Sequence, residues 1–262
     1  MKLVSFNVQY GYGLDGQYDL TRLADAIRDA DIICLQEVER HWSRTNLDDQ
    51  PALIADLLPR HHWVYGPAFD MDASITAPDR ITHRRRQFGT MILSRLPIEW
   101  SRTWPLPKRR MIDPLNTQNV ALEAMVNAPS GPLRLMSLHL AHVGVEERLE
   151  QIDFLLAQHA RATVEGGPWS GTDDEPQRNW TEGQSEPANP ARAIWKGDAK
   201  CLSIAAASAN LTYLLEHDLQ ANALRTGAIV RDRLAGAVAR EGGVGTLSSV
   251  DLRRHHPDLM DR

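Results

Sequence analysis

Four polar side chains follow apolar segments of the chain, and their types suit chemistry on a charged substrate. Asn7 follows the apolar opening segment, and Glu37 follows the run DIICLQ. His139 lies at the end of LRLMSLH, and Asp198 follows AIWKG. Two carboxylates with an amide oxygen form a hard, oxygen-rich donor set, which suits Mg²⁺ or Mn²⁺ better than zinc. A divalent ion held there could neutralise a phosphate oxygen and activate a water molecule.

Each of these residues also has an ordinary structural interpretation. Asn7 alone is typical of a turn or bulge, Glu37 of a solvated strand end, and Asp198 of a turn after glycine. His139 and His142 have the H-x-x-H spacing of a metal pair. Residues three apart in a strand face opposite ways, however, so joint ligation is not expected. A functional site is therefore indicated only by the joint placement of these residues at strand ends.

Strand–helix–strand patterns position these residues. Apolar and polar side chains alternate over 4–8, which predicts a first strand, and Asp19 is the predicted N-cap of the helix that follows. Four consecutive apolar residues, 32–35, predict a strand buried on both faces. Such a βαβ unit has parallel strands that end at the same edge of the sheet. The ends of these two strands should therefore lie side by side.

The middle of the chain has a different pattern. Turn signals separate five segments that predict an antiparallel sheet, at about 61–69, 87–95, 98–104, 118–127 and 132–140. A predicted helix at about 145–160 and a short strand at 193–195 complete a second strand–helix–strand unit. Two such units, one in each half, indicate a duplicated, two-layered α/β architecture.

The segment 163–192 interrupts this order. Gly, Pro, Glu, Ser and Thr dominate it, and it has no apolar period. A loop of this length is usually functional or disordered, so we expect either a surface lid or a mobile insertion. Beyond it, the pattern predicts a helix at 208–219 and a mixture of helix and Gly-rich loop at 226–251.

Two short basic runs supply candidate phosphate-binding side chains. They are HRRR at 83–86 and KRR at 108–110. Charge runs are usually solvated loops, but arginine pairs with phosphate through two parallel hydrogen bonds. Arg86, which is nearest a predicted strand, is the candidate for substrate binding beside the metal site.

Composition limits the class of protein. The 262 residues carry a formal net charge of −5 and are 42% hydrophobic, which excludes disordered, collagen-like and coiled-coil chains. No apolar run approaches the roughly 18 to 20 residues of a membrane span, and a signal peptide is not expected. With only Cys34 and Cys201, a disulfide framework is excluded and a cytoplasmic location is expected. The mild acidity argues against a non-specific duplex binder but not against a phosphorylated substrate.

Four segments together resemble the endonuclease/exonuclease/phosphatase superfamily, which includes DNase I-like nucleases, sphingomyelinases and inositol polyphosphate 5-phosphatases. They are MKLVSFNVQYG, DIICLQEVE, FGTMILSRLPI and LMSLHLAH, and the resemblance extends from residue 1 to about 160. It implies one domain over 1–262, a four-layered α/β sandwich with the insertion at about 163–192. It also implies Mg²⁺- or Mn²⁺-dependent hydrolysis of a phosphodiester or phosphomonoester, in a phosphorylated small molecule or a nucleic acid.

The resemblance implies a role for each site residue. Glu37 would bind the metal, and Asn7 would support the metal or its neighbouring ligand. His139 would contact a phosphate oxygen, and Asp198 would orient or deprotonate the attacking water. Lys200 stands where the family has the Asn of Gly-Asp-Phe-Asn; it could add positive charge at the phosphate but cannot accept a hydrogen bond.

The chain departs from the family pattern towards its C-terminus. No Ser-Asp-His motif is found, and the nearest chemical match, His255-His256, is more typical of a surface loop. We therefore expect the last two family strands to be missing, which would expose a sheet edge. The expected result is self-association or a poorly ordered C-terminal segment after about residue 226. The alternative to an enzyme is a degenerate family member that binds phosphorylated ligands or a partner protein, with little or no turnover.

Overall fold

The computed structural model describes residues 1–112, 115–142, 144–171, 177–191 and 193–197, and the backbone of 244–245. The helices in this part of the chain are α1 (Leu20–Ile27), α2 (Gln50–Leu57) and α3 (Val145–Glu165). The strands are β1 (Leu3–Asn7), β2 (Ile32–Arg40), β3 (His62–Asp72), β4 (Ile75–Thr76), β5 (Ile81–Thr82), β6 (Arg85–Ser94), β7 (Ile98–Pro105), β8 (Val120–Ala128), β9 (Gly131–His139), β10 (Ala193–Gly197) and β11 (Val244–Gly245).

The strands form two main sheets. The first has the order β1-β2-β6-β3, and the second has the order β11-β10-β9-β8-β7, while β4 and β5 pair as a separate hairpin. β1 is parallel to β2, and β9 is parallel to β10, as the two strand–helix–strand units predicted. The pairs β2–β6, β3–β6, β7–β8 and β8–β9 are antiparallel, as expected for the middle of the chain.

Buried side chains define four layers. Ile33 and Leu35 on one face of β2 pack with residues of α1 and α2, such as Leu23 and Ile54. The other face of β2 packs against the second sheet through a cluster that includes Cys34. The far face of the second sheet packs with α3. The order helix, sheet, sheet, helix confirms the four-layered DNase I-like α/β sandwich, and it explains why β2 is apolar on both faces.

Three elements differ from the sequence prediction. β2 does not end at Glu37 but continues to Arg40. α2 was not predicted from the sequence, although Asp49 caps it by accepting a hydrogen bond from the Ala52 N–H at 3.2 Å. α3 continues to Glu165, about one turn beyond the predicted end.

The segment after α3 is anchored to the fold near its C-terminal end. The Asn189 side-chain amide donates to the carbonyl oxygens of Ala162 at 2.7 Å and Gly166 at 2.6 Å. The Trp100 indole N–H donates to the Ala188 carbonyl at 3.1 Å. Where it is described, the predicted insertion is thus attached to both α3 and β7 at this end.

Several predictions concern residues outside the described ranges. They are the helix at 208–219, the residues Asp198, Lys200, His255 and His256, and most of 226–251. Within 226–251, Val244–Gly245 pairs in parallel with Ile194 and Trp195, so β11 stands where helix or Gly-rich loop was predicted. No helix in the described part of the chain is long and apolar enough to cross a membrane.

Candidate active site

Asn7 and Glu37 meet where β1 ends beside β2. Asn7 is paired with Gln36 in the parallel register, which places its side chain next to Glu37. The Asn7 Nδ2 amide donates to Glu37 Oε1 at 2.8 Å, while its Oδ1 accepts from the Gln9 N–H at 3.0 Å. Asn7 therefore orients the Glu37 carboxylate and also supports the following turn.

A β-bulge gives Glu37 its orientation. Gln36 pairs with Thr90 and Val38 pairs with Gly89, so that Glu37 is the extra residue, with φ of 62°. In regular alternation Glu37 would face the helices, as Ile33 and Leu35 do. Because of the bulge, Val38 lies in the helix-facing cluster instead, and the Glu37 side chain lies at the edge shared by the two sheets. A positive φ at a residue with a side chain costs roughly 1–3 kcal/mol, which the surrounding pairing must offset.

His139 reaches the same place from the second sheet. It is the last residue of β9, and its Nε2 lies 3.6 Å from Glu37 Oε1. The side chain of Glu37 is only 17% exposed and that of His139 only 9%, so this is not a solvated strand end. His142 is exposed while His139 is buried, which agrees with the expectation that they do not share a face. The structure thus brings together Asn7, Glu37 and His139 from three strands.

Polar contacts between the sheets hold these strand ends in register. The buried Gln36 amide donates to Ser137 Oγ at 3.1 Å and joins β2 to β9 beneath the site. The Ser5 hydroxyl donates to the Gly197 carbonyl at 3.4 Å and joins β1 to β10. Gly197 is paired with Leu138, the neighbour of His139. The last described residue before Asp198 therefore lies at the same edge as the three site residues.

Tyr10 is a further candidate site residue, which the sequence patterns did not indicate. It lies in the turn after β1 with φ of 59°, and its ring centroid is 5.9 Å from that of Phe88. Burial raises the pKa of Tyr10, and the negative charge of Glu37 raises it further. The Arg44 guanidinium lies 4.0 Å from the Tyr10 ring centroid and pairs with Glu39 at 2.6 Å. The only sequence signal was that Tyr10 follows Asn7 by three residues.

The two basic runs have different environments. Arg109, in the run 108–110, pairs with Glu150 of α3 at 2.5 Å. Arg86 lies on β6, with its guanidinium 5.6 Å from the Trp42 ring centroid, and its Nε donates to the His41 carbonyl at 3.4 Å. It is three residues along β6 from Gly89, or about 10 Å from the level of Glu37 at the usual rise of a strand. Arg86 therefore lies on the strand next to the site but at a distance from Glu37.

The residues at this edge can be compared with the ligands that the implied Mg²⁺ or Mn²⁺ ion requires. The described part of the chain holds no group of three or more His, Cys, Asp and Glu side chains suited to a metal ion. Mg²⁺ commonly uses only one or two carboxylates and completes its shell with water and substrate phosphate. Glu37 offers one carboxylate held in place by Asn7, so the residues present fit a sparsely ligated Mg²⁺ or Mn²⁺ ion.

The fold and this edge define a DNase I-like α/β sandwich with a carboxylate, an amide and an imidazole at one end of its two sheets. The model of the Endonuclease/Exonuclease/phosphatase family matches residues 4–168. The chain belongs to this family, as the sequence segments predicted. No curated protein matches the sequence.

Solved structures of similar fold include three that differ in origin. One is an endonuclease/exonuclease/phosphatase from Beutenbergia cavernae, 23% identical, covering 60% of this chain and 43% of that one, with a TM-score of 0.47. A mannosyl-6-phosphatase from Bacteroides thetaiotaomicron is 16% identical, with coverages of 76% and 64% and a TM-score of 0.45. TDP2 from Caenorhabditis elegans is 15% identical, with coverages of 64% and 43% and a TM-score of 0.44. The chain thus spans less than two thirds of the length of each.

Proposed function

We propose that this protein is a phosphoester hydrolase that uses Mg²⁺ or Mn²⁺ and acts on a phosphodiester or phosphomonoester. The observation that supports it is the meeting of Asn7, Glu37 and His139 at one edge of two sheets. These residues meet in a member of the Endonuclease/Exonuclease/phosphatase family, and nucleases and phosphatases are enzymes that cleave phosphoester bonds. A cytoplasmic location belongs to the same proposal.

Each side chain has a defined role in this proposal. Glu37 holds the metal through its carboxylate, and Asn7 keeps that carboxylate oriented. His139 donates a hydrogen bond to a phosphate oxygen, and Asp198 orients or deprotonates the attacking water. Lys200 adds positive charge at the substrate. When bound, the metal neutralises negative charge on the phosphate and lowers the pKa of a bound water.

A hydrolysis screen tests the proposal. The substrates are bis(4-nitrophenyl) phosphate and 4-nitrophenyl phosphate, each with Mg²⁺, Mn²⁺ or EDTA. We expect turnover of at least one substrate with a metal, none with EDTA, and a loss of at least about 100-fold in Glu37→Gln. Glu99→Gln is the matched control, since Glu99 is exposed on β7 and its substitution removes the same negative charge away from the site. Equal activity in Glu37→Gln and Glu99→Gln would contradict the role of Glu37.

The second candidate is a family member that binds phosphorylated ligands, or a partner protein, without turnover. It is favoured by Lys200, which stands where the family has Asn. Its signature in the same screen is the absence of turnover with every ion, together with calorimetric binding of bis(4-nitrophenyl) phosphate that Glu37→Gln or His139→Gln weakens. Turnover by the unmodified protein rules it out.

A further inference from the structure

We propose that Arg86 forms a second anion-binding subsite, separate from the Glu37–His139 centre. The substrate is then a phosphoester that carries another phosphate beyond the one that is hydrolysed. This inference rests on the proposed function and specifies its substrate class. Three features of Arg86 lead to it, namely the face of the sheet it occupies, its fixed geometry and its charge.

Arg86 and the site share a face of β6. The Phe88 ring centroid lies 5.9 Å from those of both His139 and Tyr10, so Phe88 faces the candidate active site. Residues two apart in a strand project from the same face, so Arg86 projects to the side of Phe88. Gly89, opposite Val38, marks the level of Glu37. At about 3.4 Å per residue, Arg86 is anchored about 10 Å farther along the strand.

The guanidinium of Arg86 is held in position. It lies over the Trp42 ring, with 5.6 Å to the centroid, in the range of a cation–π contact. Trp42 is itself fixed, since its indole N–H donates to the Gln87 carbonyl at 2.8 Å and its ring meets that of Phe69 edge-on. The Arg86 Nε–H donates to the His41 carbonyl. A guanidinium fixed in this way loses little freedom when it binds an anion.

The charge of Arg86 is not offset by a neighbouring carboxylate. No Asp or Glu of the described residues lies within ion-pair distance of it. Its neighbour Arg85 projects from the opposite face and pairs with Asp70 at 2.7 Å. Arg44, whose guanidinium lies over the rings of Tyr10 and Trp42, pairs with the buried Glu39. Of Arg44, Arg85 and Arg86, Arg86 alone makes no ion pair with a carboxylate of the described residues, so its guanidinium is available to a phosphate. Its spacing from Glu37 assigns that phosphate to a position beyond the reacting one.

The length of the substrate provides the test. The dinucleotide TpT has a single internal phosphate, while pTpT and TpTp carry a second phosphate at one end. In the presence of Mn²⁺ we expect kcat/KM for one of the end-phosphorylated forms to exceed that for TpT by about 10-fold, the usual effect of one charge-assisted hydrogen bond. Arg86→Gln should abolish this difference. Arg85→Gln, which makes the same charge change one residue away, should retain it.

A binding measurement keeps the inference testable if no dinucleotide is hydrolysed. Affinities for TpT, pTpT and TpTp are measured by calorimetry in EDTA, with the same two variants. The subsite is supported if an end-phosphorylated form binds more tightly than TpT, and if this difference is lost in Arg86→Gln and kept in Arg85→Gln. This result supports the subsite even if the absence of turnover contradicts the proposed hydrolase. Equal binding of all three ligands, or equal losses in both variants, overturns the subsite whether or not hydrolysis occurs.

Discussion

At the level of single residues, the Glu37 carboxylate is the group on which the proposed metal chemistry depends. In Glu37→Gln the new amide oxygen can still accept the Asn7 hydrogen bond, so the local structure should persist while the negative charge is lost. We expect Mn²⁺ affinity, measured by calorimetric titration, to fall at least about 10-fold, because a hard divalent ion prefers a carboxylate to an amide. Equal affinity in the variant and the unmodified protein would show that Glu37 is not a ligand.

Cys34 gives a residue-scale prediction about pH. Burial raises the pKa of its thiol to about 12. Since the folded protein holds this proton more tightly than the unfolded chain does, its contribution to stability is present below about pH 9 and is lost as the pH rises towards 12. We expect the free energy of unfolding, measured with urea, to decrease from pH 9 upwards.

Thiol labelling checks the environment of Cys34 directly. In a Cys201→Ser background, only Cys34 can react. It should resist a disulfide reagent at pH 8 in the native state and react fully in denaturant, because a buried, protonated thiol is a poor nucleophile. Rapid labelling of the native protein would mean that Cys34 is not enclosed between the sheets.

At the level of elements, the pairing of β3 with β6 depends on a glycine. A Cβ at Gly89 would lie 2.1 Å from the Gly66 carbonyl oxygen and 2.8 Å from the Pro67 Cα, and both atoms are backbone. Gly89→Ala should therefore force the strands apart and lower the free energy of unfolding by about 2–4 kcal/mol in a urea titration. Gly144→Ala is the control, because its Cβ would make only an ordinary contact, at 3.4 Å, with Glu147. Similar losses in both variants would contradict this account of the β3–β6 pairing.

At the level of the whole molecule, the outer edge of β10 is the place where self-association is predicted. Among the described residues, only Val244–Gly245 pairs with the outer edge of β10, at Ile194 and Trp195. A sheet edge with unpaired backbone groups tends to recruit another strand. We predict concentration-dependent self-association, measured by light scattering, with increased amide protection in β10 on association. A monomer at every concentration, with β10 already protected, would contradict this prediction.

Local sequence patterns were sufficient to predict most of the fold. Apolar period and turn residues predicted the parallel β1–β2 and β9–β10 pairs and the antiparallel strands between them, while the four layers were implied by the family resemblance. They also placed Asn7 and His139 at strand ends. Such patterns are informative because each strand or helix must bury an apolar face, and the order of consecutive residues determines where that face lies. The role of Asp198 and the single domain over 1–262 remain predictions.

The sequence by itself determined that Asn7 and His139 stand at strand ends and to which family the chain belongs. Only the tertiary structure decided how they meet. Glu37 faces Asn7 and His139 because β2 bulges against β6, and this bulge is set by pairing between distant segments rather than by the residues around Glu37. Arg86 lies away from Glu37 for the same reason, since the register of β2 and β6 fixes that spacing.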